Sequence, residues 1–133
     1  MILLTRKAEF SASHFYWIDD FSAEENARLF GKCANRNGHG HNSPLEVTVA
    51  GEVDPVSGFV VDLKALKDII EREVIQAYDH RHLNLEVPEF HSVIPTTENI
   101  AIAIWKRLET KISGARLQRV RVYEMPDLFA DYC

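Results

Sequence analysis

Apolar and polar residues alternate along 2–10, which predicts a strand, and they alternate more clearly along Leu45-Glu46-Val47-Thr48-Val49-Ala50-Gly51-Glu52-Val53, because successive side chains of an extended chain turn to opposite faces. Asp54-Pro55-Val56-Ser57-Gly58 carries turn residues: proline is pre-set for a bend and glycine is free to take positive φ. A hairpin of 45–53 with 59–61 is therefore expected. From Asp62 the period changes. Leu63, Leu66, Ile69, Ile70, Val74 and Ala77 form one apolar stripe with lysines and glutamates on the other faces, and Asp62 is placed to cap the helix. A second helix is predicted over 97–112, with Ile100, Ile104, Trp105 and Leu108 on its buried stripe and Thr96 as the cap after Pro95. Residues 117–124 alternate again, with Leu117, Arg119, Arg121 and Tyr123 on one face, and a last strand is expected near 128–133. Ser22-Ala23-Glu24-Glu25 reads as a capping box that opens a short helix between the first two strands. This order of elements predicts an α+β fold, with helices layered on one face of an antiparallel sheet.

Composition narrows the picture. A chain of 133 residues with 46% hydrophobic content fits one domain spanning 1–133. Met1 to Phe10 includes Arg6, Lys7 and Glu9, so neither a signal peptide nor a membrane span is expected, and a cytoplasmic location follows. Cys33 and Cys133 make no disulfide framework. A net charge of −5 with both signs interspersed disfavours nucleic acid, whose binding relies on basic surface. A small anionic substrate stays compatible: Arg28, Lys32 and Arg36 lie close to Cys33, although they read equally well as solvated charges.

The candidate chemistry is concentrated in histidines. His39 and His41 sit at i and i+2, so an extended backbone would aim both imidazoles at one point, with Gly40 leaving room between them. His14, at the end of the first alternating segment, is the best third ligand. Three neutral imidazoles on a tetrahedral zinc leave one position open, as in a catalytic site. Cys33 has three readings: a fourth zinc ligand closing a structural site, a nucleophile or base beside an open one, or a small buried residue. A nearby dication and Lys32 would favour its thiolate. Asp79-His80 has the composition of a carboxylate that orients a proton-transfer imidazole, but sequence neighbours seldom face each other and a solvated loop pair is the bland alternative. His82 and His91 are open to either reading, as members of that group or as surface residues. Glu124 is either an exposed edge carboxylate or an acceptor for an amidine-like edge such as that of guanine or a pterin. Helix capping explains Thr96-Thr97-Glu98-Asn99 well enough.

Taken together, Phe10-Ser11-Ala12-Ser13-His14, Ser22-Ala23-Glu24-Glu25-Asn26, Phe30-Gly31-Lys32-Cys33, Asn37-Gly38-His39-Gly40-His41-Asn42, Gly51-Glu52-Val53-Asp54-Pro55, Asp79-His80, Thr96-Thr97-Glu98-Asn99 and Val122-Tyr123-Glu124 resemble the 6-pyruvoyltetrahydropterin synthase family, which also includes 6-carboxytetrahydropterin synthases of queuosine biosynthesis. The resemblance implies zinc on His14, His39 and His41, a catalytic Cys33, a proton relay of Asp79 and His80, Glu124 as the anchor of the pterin ring, and substrate contacts at Thr96 and Thr97. It implies the tunnelling fold, in which three subunits join their sheets into a barrel, two trimers stack into a homohexamer, and active sites lie between subunits. The implied reaction converts 7,8-dihydroneopterin triphosphate to 6-pyruvoyltetrahydropterin, with no redox cofactor because the side chain is oxidised while the ring is reduced. Alternatives are a 6-carboxytetrahydropterin synthase, a non-catalytic zinc protein of the same fold and a zinc hydrolase.

Overall fold

The computed structural model describes residues 1–133. A five-stranded sheet in the order β3-β1-β2-β4-β5 forms one layer. Its strands are β1 (Ile2–His14), β2 (His39–Gly51), β3 (Arg81–His82), β4 (Arg116–Met125) and β5 (Leu128–Tyr132), antiparallel except for the short β1–β3 pairing. Helices α1 (Ala23–Phe30), α2 (Leu63–Ile70), α3 (Gln76–Tyr78), α4 (Leu83–Glu86) and α5 (Thr97–Leu108) complete the fold. The α+β expectation holds, and the core lies where α2, α3 and α5 cover one face of the sheet. Leu45, Val47 and Val49 of β2 and Val120 and Val122 of β4 are buried there against Leu66, Ile70, Tyr78, Ile104 and Leu108. Each such side chain contributes about 1.5–3 kcal/mol by leaving water.

The expected hairpin of 45–53 with 59–61 does not form. Both edges of β2 are already taken, by β1 and β4, and the turn closes on itself instead: Asp54 Oδ1 accepts from Val56 N and Ser57 N at 2.8 and 2.9 Å, and Asp54 N donates to Phe59 O. The strand β2 begins at His39 rather than at residue 45, because residues 39–42 pair with residues 11–14 of a β1 that is longer than predicted. The predicted face of Leu117 with Arg119, Arg121 and Tyr123 is broken by a β-bulge, where Thr48 pairs with Arg119 but Val49 with Leu117. One extra residue lets Leu117 join Val120 and Val122 inside. On the opposite face Arg119 Nη2 and Tyr123 Oη donate to Glu46 at 3.2 and 3.0 Å.

Asp62 caps α2 as expected, accepting from Ala65 N at 3.0 Å. A π-helical turn (Glu71–Ile75) then separates α2 from α3. Its extra residue rotates the apolar stripe, so Ile75 and Tyr78 are buried while Leu63 stays largely exposed. The helix predicted to 112 ends at Leu108. Trp105 is only half-buried, with its indole N–H on Glu109 Oε2 at 2.9 Å and its ring against Tyr132. No helix is long and apolar enough to cross a membrane.

Candidate metal centre and active site

Strand register builds the centre. His14 lies directly opposite His39, and Ala12 opposite His41, so the three imidazoles emerge from one end of the β1–β2 ladder on its helix-covered face. Glu124 joins them from β4, two residues beyond Val122, which pairs with Leu45. Ring centroids are 4.6 Å apart for His14–His39, 5.0 Å for His39–His41 and 5.1 Å for His14–His41. One donor atom from each of His14, His39, His41 and Glu124 lies within 4.8 Å of all the others. Glu124 Oε1 is 3.9 Å from His14 Nε2 and 3.7 Å from His41 Nε2.

This donor set fits a divalent metal. His14 Nδ1 is 2.8 Å from Pro95 O; donation of its N–H to that carbonyl leaves the Nε2 lone pair facing the cluster. The Nε2 atoms of His14 and His41 are buried with no hydrogen-bond partner. Two buried, convergent, unpartnered imidazole nitrogens beside a carboxylate are costly to keep unless they share an electrophile. Electrostatics agrees: burial, reinforced by the neighbouring imidazoles, holds the His14 pKa down to about 4 against the opposing effect of the hydrogen bond that Pro95 O accepts. Burial and His41 likewise lower that of His39. Both rings are thereby kept in the neutral, ligating form. Imidazole and carboxylate donors together suit divalent first-row ions.

The i, i+2 expectation for His39 and His41 thus matches the geometry, but Gly40 is not what makes room for it: an added Cβ there would meet only Ala12 O, at an ordinary 3.5 Å. The demanding glycine is Gly38, with φ +84° and space for a Cβ only 3.0 Å from His82 Nε2 and 3.4 Å from His14 O. Sequence reasoning did not place Glu124 in the donor set, and it missed Tyr16 altogether. The Tyr16 hydroxyl donates to Glu124 Oε1 at 3.0 Å. Only the register of β4 against β2 reveals either contact.

Cys33 lies in a 3-10 turn (Gly31–Ala34), partly buried and outside the donor set. The fourth group beside the imidazoles is the Glu124 carboxylate rather than the thiol. In the protein alone, burial and the Glu124 charge push its pKa up. Arg36 does not cluster with Arg28 and Lys32 around the thiol. Its guanidinium stacks 4.9 Å from the Trp17 ring centroid and 5.8 Å from that of Phe15, which pins the segment between Cys33 and His39.

Asp79 and His80 do face each other, contrary to the expectation for sequence neighbours. His80 has φ 59°, a left-handed conformation, and this folds its Nδ1 back to 2.9 Å from Asp79 Oδ2. Ser11 N donates to Asp79 Oδ1 at 2.8 Å and His80 N donates to Ser11 O at 2.6 Å, fixing the pair to β1. Those hydrogen bonds hold the Asp79 pKa below the usual carboxylate range. The His80 side chain is 83% exposed, so its far nitrogen is open to a group from outside this chain. Thr96 acts as the cap of α5, accepting from Asn99 N at 3.2 Å, and Thr97 is buried. Exposed Glu98 lies near enough to raise the pKa of Tyr16, behind the larger effects of burial and Glu124. His82, left open by the sequence, is half-buried against Phe15, and its Nδ1 is buried without a partner.

Known proteins resemble this chain along nearly its whole length. The family described as 6-pyruvoyl tetrahydropterin synthase matches residues 3–133. The human 6-pyruvoyl tetrahydrobiopterin synthase is 46% identical over 121 residues, covering 91% of this chain and 83% of that protein. A putative 6-carboxy-5,6,7,8-tetrahydropterin synthase of Archaeoglobus fulgidus is 38% identical over 111 residues, 84% of this chain and 87% of that protein. The solved structure of Caenorhabditis elegans 6-pyruvoyl tetrahydropterin synthase superposes with a TM-score of 0.94 at 39% identity, covering 98% of this chain and 94% of that one.

Proposed function

The chain belongs to the 6-pyruvoyl tetrahydropterin synthase family, and we propose that it is a zinc-dependent lyase converting 7,8-dihydroneopterin triphosphate to 6-pyruvoyltetrahydropterin with loss of triphosphate. The observation that carries this reading is the inward-facing donor set, with the unpartnered Nε2 atoms of His14 and His41 beside His39 and Glu124. His14, His39 and His41 would hold the zinc, which when bound supplies a Lewis acid for the substrate's side-chain hydroxyls and acidifies the neighbouring protons. Cys33, as thiolate, removes a carbon-bound proton. Asp79 orients His80, and the pair carries protons during tautomerisation and departure of the triphosphate.

Two carboxylates can accept the amidine-like edge of the pterin. Glu124 lies beside the imidazoles, held by the Tyr16 hydroxyl. Glu98 is exposed in the first turn of α5, directly after Thr96 and Thr97. We assign Glu124 to the ring as its anchor, with substrate contacts from Thr96 and Thr97 and Glu98 as a second acceptor beside them. The homohexamer built from barrel-shaped trimers is supported by two open sheet edges, β5 on one side and, on the other, the long stretch of β1 that β3 does not cover.

A second reading, 6-carboxytetrahydropterin synthase, is favoured by the Archaeoglobus relative. The pyruvoyl product is preferred on spacing: residues 34–38 separate Cys33 from His39, two more than in the carboxy-forming pattern, enough to move the thiolate by about 6–7 Å along an extended chain. Incubation of the purified protein with dihydroneopterin triphosphate, followed by mass analysis, tests both. A pyruvoyl product with free triphosphate is expected. Carboxylate with acetaldehyde would transfer the function to the second reading, and neither product from a zinc-loaded protein would leave a non-catalytic zinc protein.

A further inference from the structure

We propose that Asn84 is a positioning residue that locks the strand ending in His14 to the segment bearing the Asp79–His80 pair; this rests on the zinc-site and relay readings above. The β1–β2 ladder ends at the His14–His39 pair and β3 pairs only with residues 12 and 13, so Phe15 lies beyond both. It is buried all the same. One side chain meets both of its backbone groups: Phe15 N donates to Asn84 Oδ1 and Asn84 Nδ2 donates to Phe15 O, each at 2.9 Å. A primary amide offers the acceptor and donor of a peptide unit side by side, so Asn84 stands in for the next residue of a pairing strand. At the following residue Tyr16 N donates to Cys33 O at 2.8 Å. The chain leaving His14 is thus fixed at successive residues by the relay segment and by the thiol turn.

The relay segment grips β1 and its continuation at three levels. Asp79 Oδ1 and His80 N bond the backbone of Ser11. His82 lays its ring against Phe15 at a centroid distance of 5.5 Å, and its Nε2 fills the space where a Cβ on Gly38 would come within 3.0 Å. Asn84 then takes the backbone of Phe15, the residue next to a metal-facing imidazole. Pro95 O directs the His14 ring through Nδ1, while Asn84 directs the peptide that follows it. Partners behind a metal's ligands orient those ligands, and their loss typically weakens metal binding by about 10–100-fold. The coupling runs both ways: a metal that fixes His14 also fixes Asn84, and with it the segment that carries Asp79 and His80.

The test uses metal-stripped full-length chain, titrated with zinc against a chromophoric chelator and separately with cobalt(II), whose visible absorption reports the ligand geometry. Amide hydrogen exchange over residues 79–84 is followed alongside. Wild type is compared with Asn84→Ala, with Asn84→Asp and with Asn26→Asp, which alters a buried amide clasping a loop at Ile18 and Phe21. Asn84→Asp is isosteric and keeps the acceptor for Phe15 N, so it is the variant that holds the fold, yet it turns a carboxylate oxygen towards Phe15 O. Both Asn84 variants should bind zinc at least about tenfold more weakly, with shifted cobalt bands. Zinc should slow exchange of residues 79–84 in wild type and leave it unchanged in Asn84→Asp. Asn26→Asp should lower the urea midpoint while keeping wild-type zinc affinity and bands. Wild-type affinity and bands in Asn84→Asp would overturn the proposal, as would exchange slowed equally by zinc in both chains. So would a loss of affinity in Asn26→Asp equal to that of the Asn84 variants, which is what a general weakening of the fold would produce. No pterin is present in these titrations, so failure of the synthase reading would show only in the product assay. Failure of the zinc reading would show as a wild-type chain that takes up neither metal.

Discussion

His14 concentrates the physical demands of the site in one side chain. It is 4% exposed, held through Nδ1 by Pro95 O, with Nε2 unpartnered. Burial lowers its pKa from an ordinary 6.5 to about 4, so between those values the unfolded chain takes up a proton that the folded chain refuses. Stability of the metal-free protein is therefore fully present above pH 6.5 and falls as the pH drops towards 4, by up to about 3 kcal/mol from this residue alone. Urea unfolding of metal-free wild type and His14→Gln at pH 7 and pH 5 should show the larger acid loss in wild type. Equal losses would mean that His14 titrates normally. A second prediction concerns the two carboxylates. Glu98→Gln should weaken pterin binding at least tenfold with metal content retained, since charge-assisted bonds are worth about 1.5–3 kcal/mol each. Glu124→Gln should likewise weaken pterin binding more than it alters the metal content, and unchanged pterin affinity in calorimetry would show that Glu124 is only an edge residue. The alignment of His39 with His41 was legible in the sequence because strand periodicity aligns i and i+2, whereas the approach of His14 to them is set by the β1–β2 register. The contacts of Tyr16 with Glu124 and of His14 with Pro95 were not, because their partners lie 108 and 81 residues apart in sequence.

At the scale of elements, what local chemistry determines was readable and what depends on a neighbouring element was not. The caps at Ser22, Asp62 and Thr96 all accept the expected backbone N–H. The buried Asn26, which clasps the loop at Ile18 and Phe21 through 2.8–3.3 Å hydrogen bonds, carries no such signature. The β4 bulge and the π-turn after α2 each insert one residue into an otherwise regular pattern, and each rotates a face that simple periodicity had assigned. The start of α5 joins fold to site, since Thr96 caps the helix while the preceding carbonyl, Pro95 O, orients His14. Thr96→Ala should cost about 1 kcal/mol of stability and also weaken zinc binding, with Thr96→Ser restoring both. A stability loss with unchanged zinc affinity would show that the Pro95 carbonyl keeps its place without the cap.

At the scale of the whole molecule, the proposed function divides the chemistry between copies of the chain. The donor set and Cys33 sit around one end of the β1–β2 ladder, while the Asp79–His80 pair is locked to the outer side of β1 by Ser11, its imidazole turned to solvent. In the sheet, β3 pairs only with residues 12 and 13 of β1, so most of that edge and all of the outer edge of β5 present unpaired backbone groups. Long open edges of this kind are usually covered. A second copy of the chain pairing there would bring one subunit's His80 towards another's thiol, and complementation detects such sharing directly. Cys33→Ala and His80→Ala chains, each inactive alone, should regain turnover when unfolded together and refolded as a 1:1 mixture, to about a quarter of the wild-type rate per site under random assembly, because each site then draws its thiol and its relay pair from independent chains. Recovery should vanish when the two variants are refolded separately and assayed immediately after mixing, before subunits exchange. Persistent inactivity of the co-refolded mixture, with assembly confirmed by light scattering, would mean that thiol and imidazole must come from the same chain, and the proton relay would then have to be sought among groups nearer to Cys33.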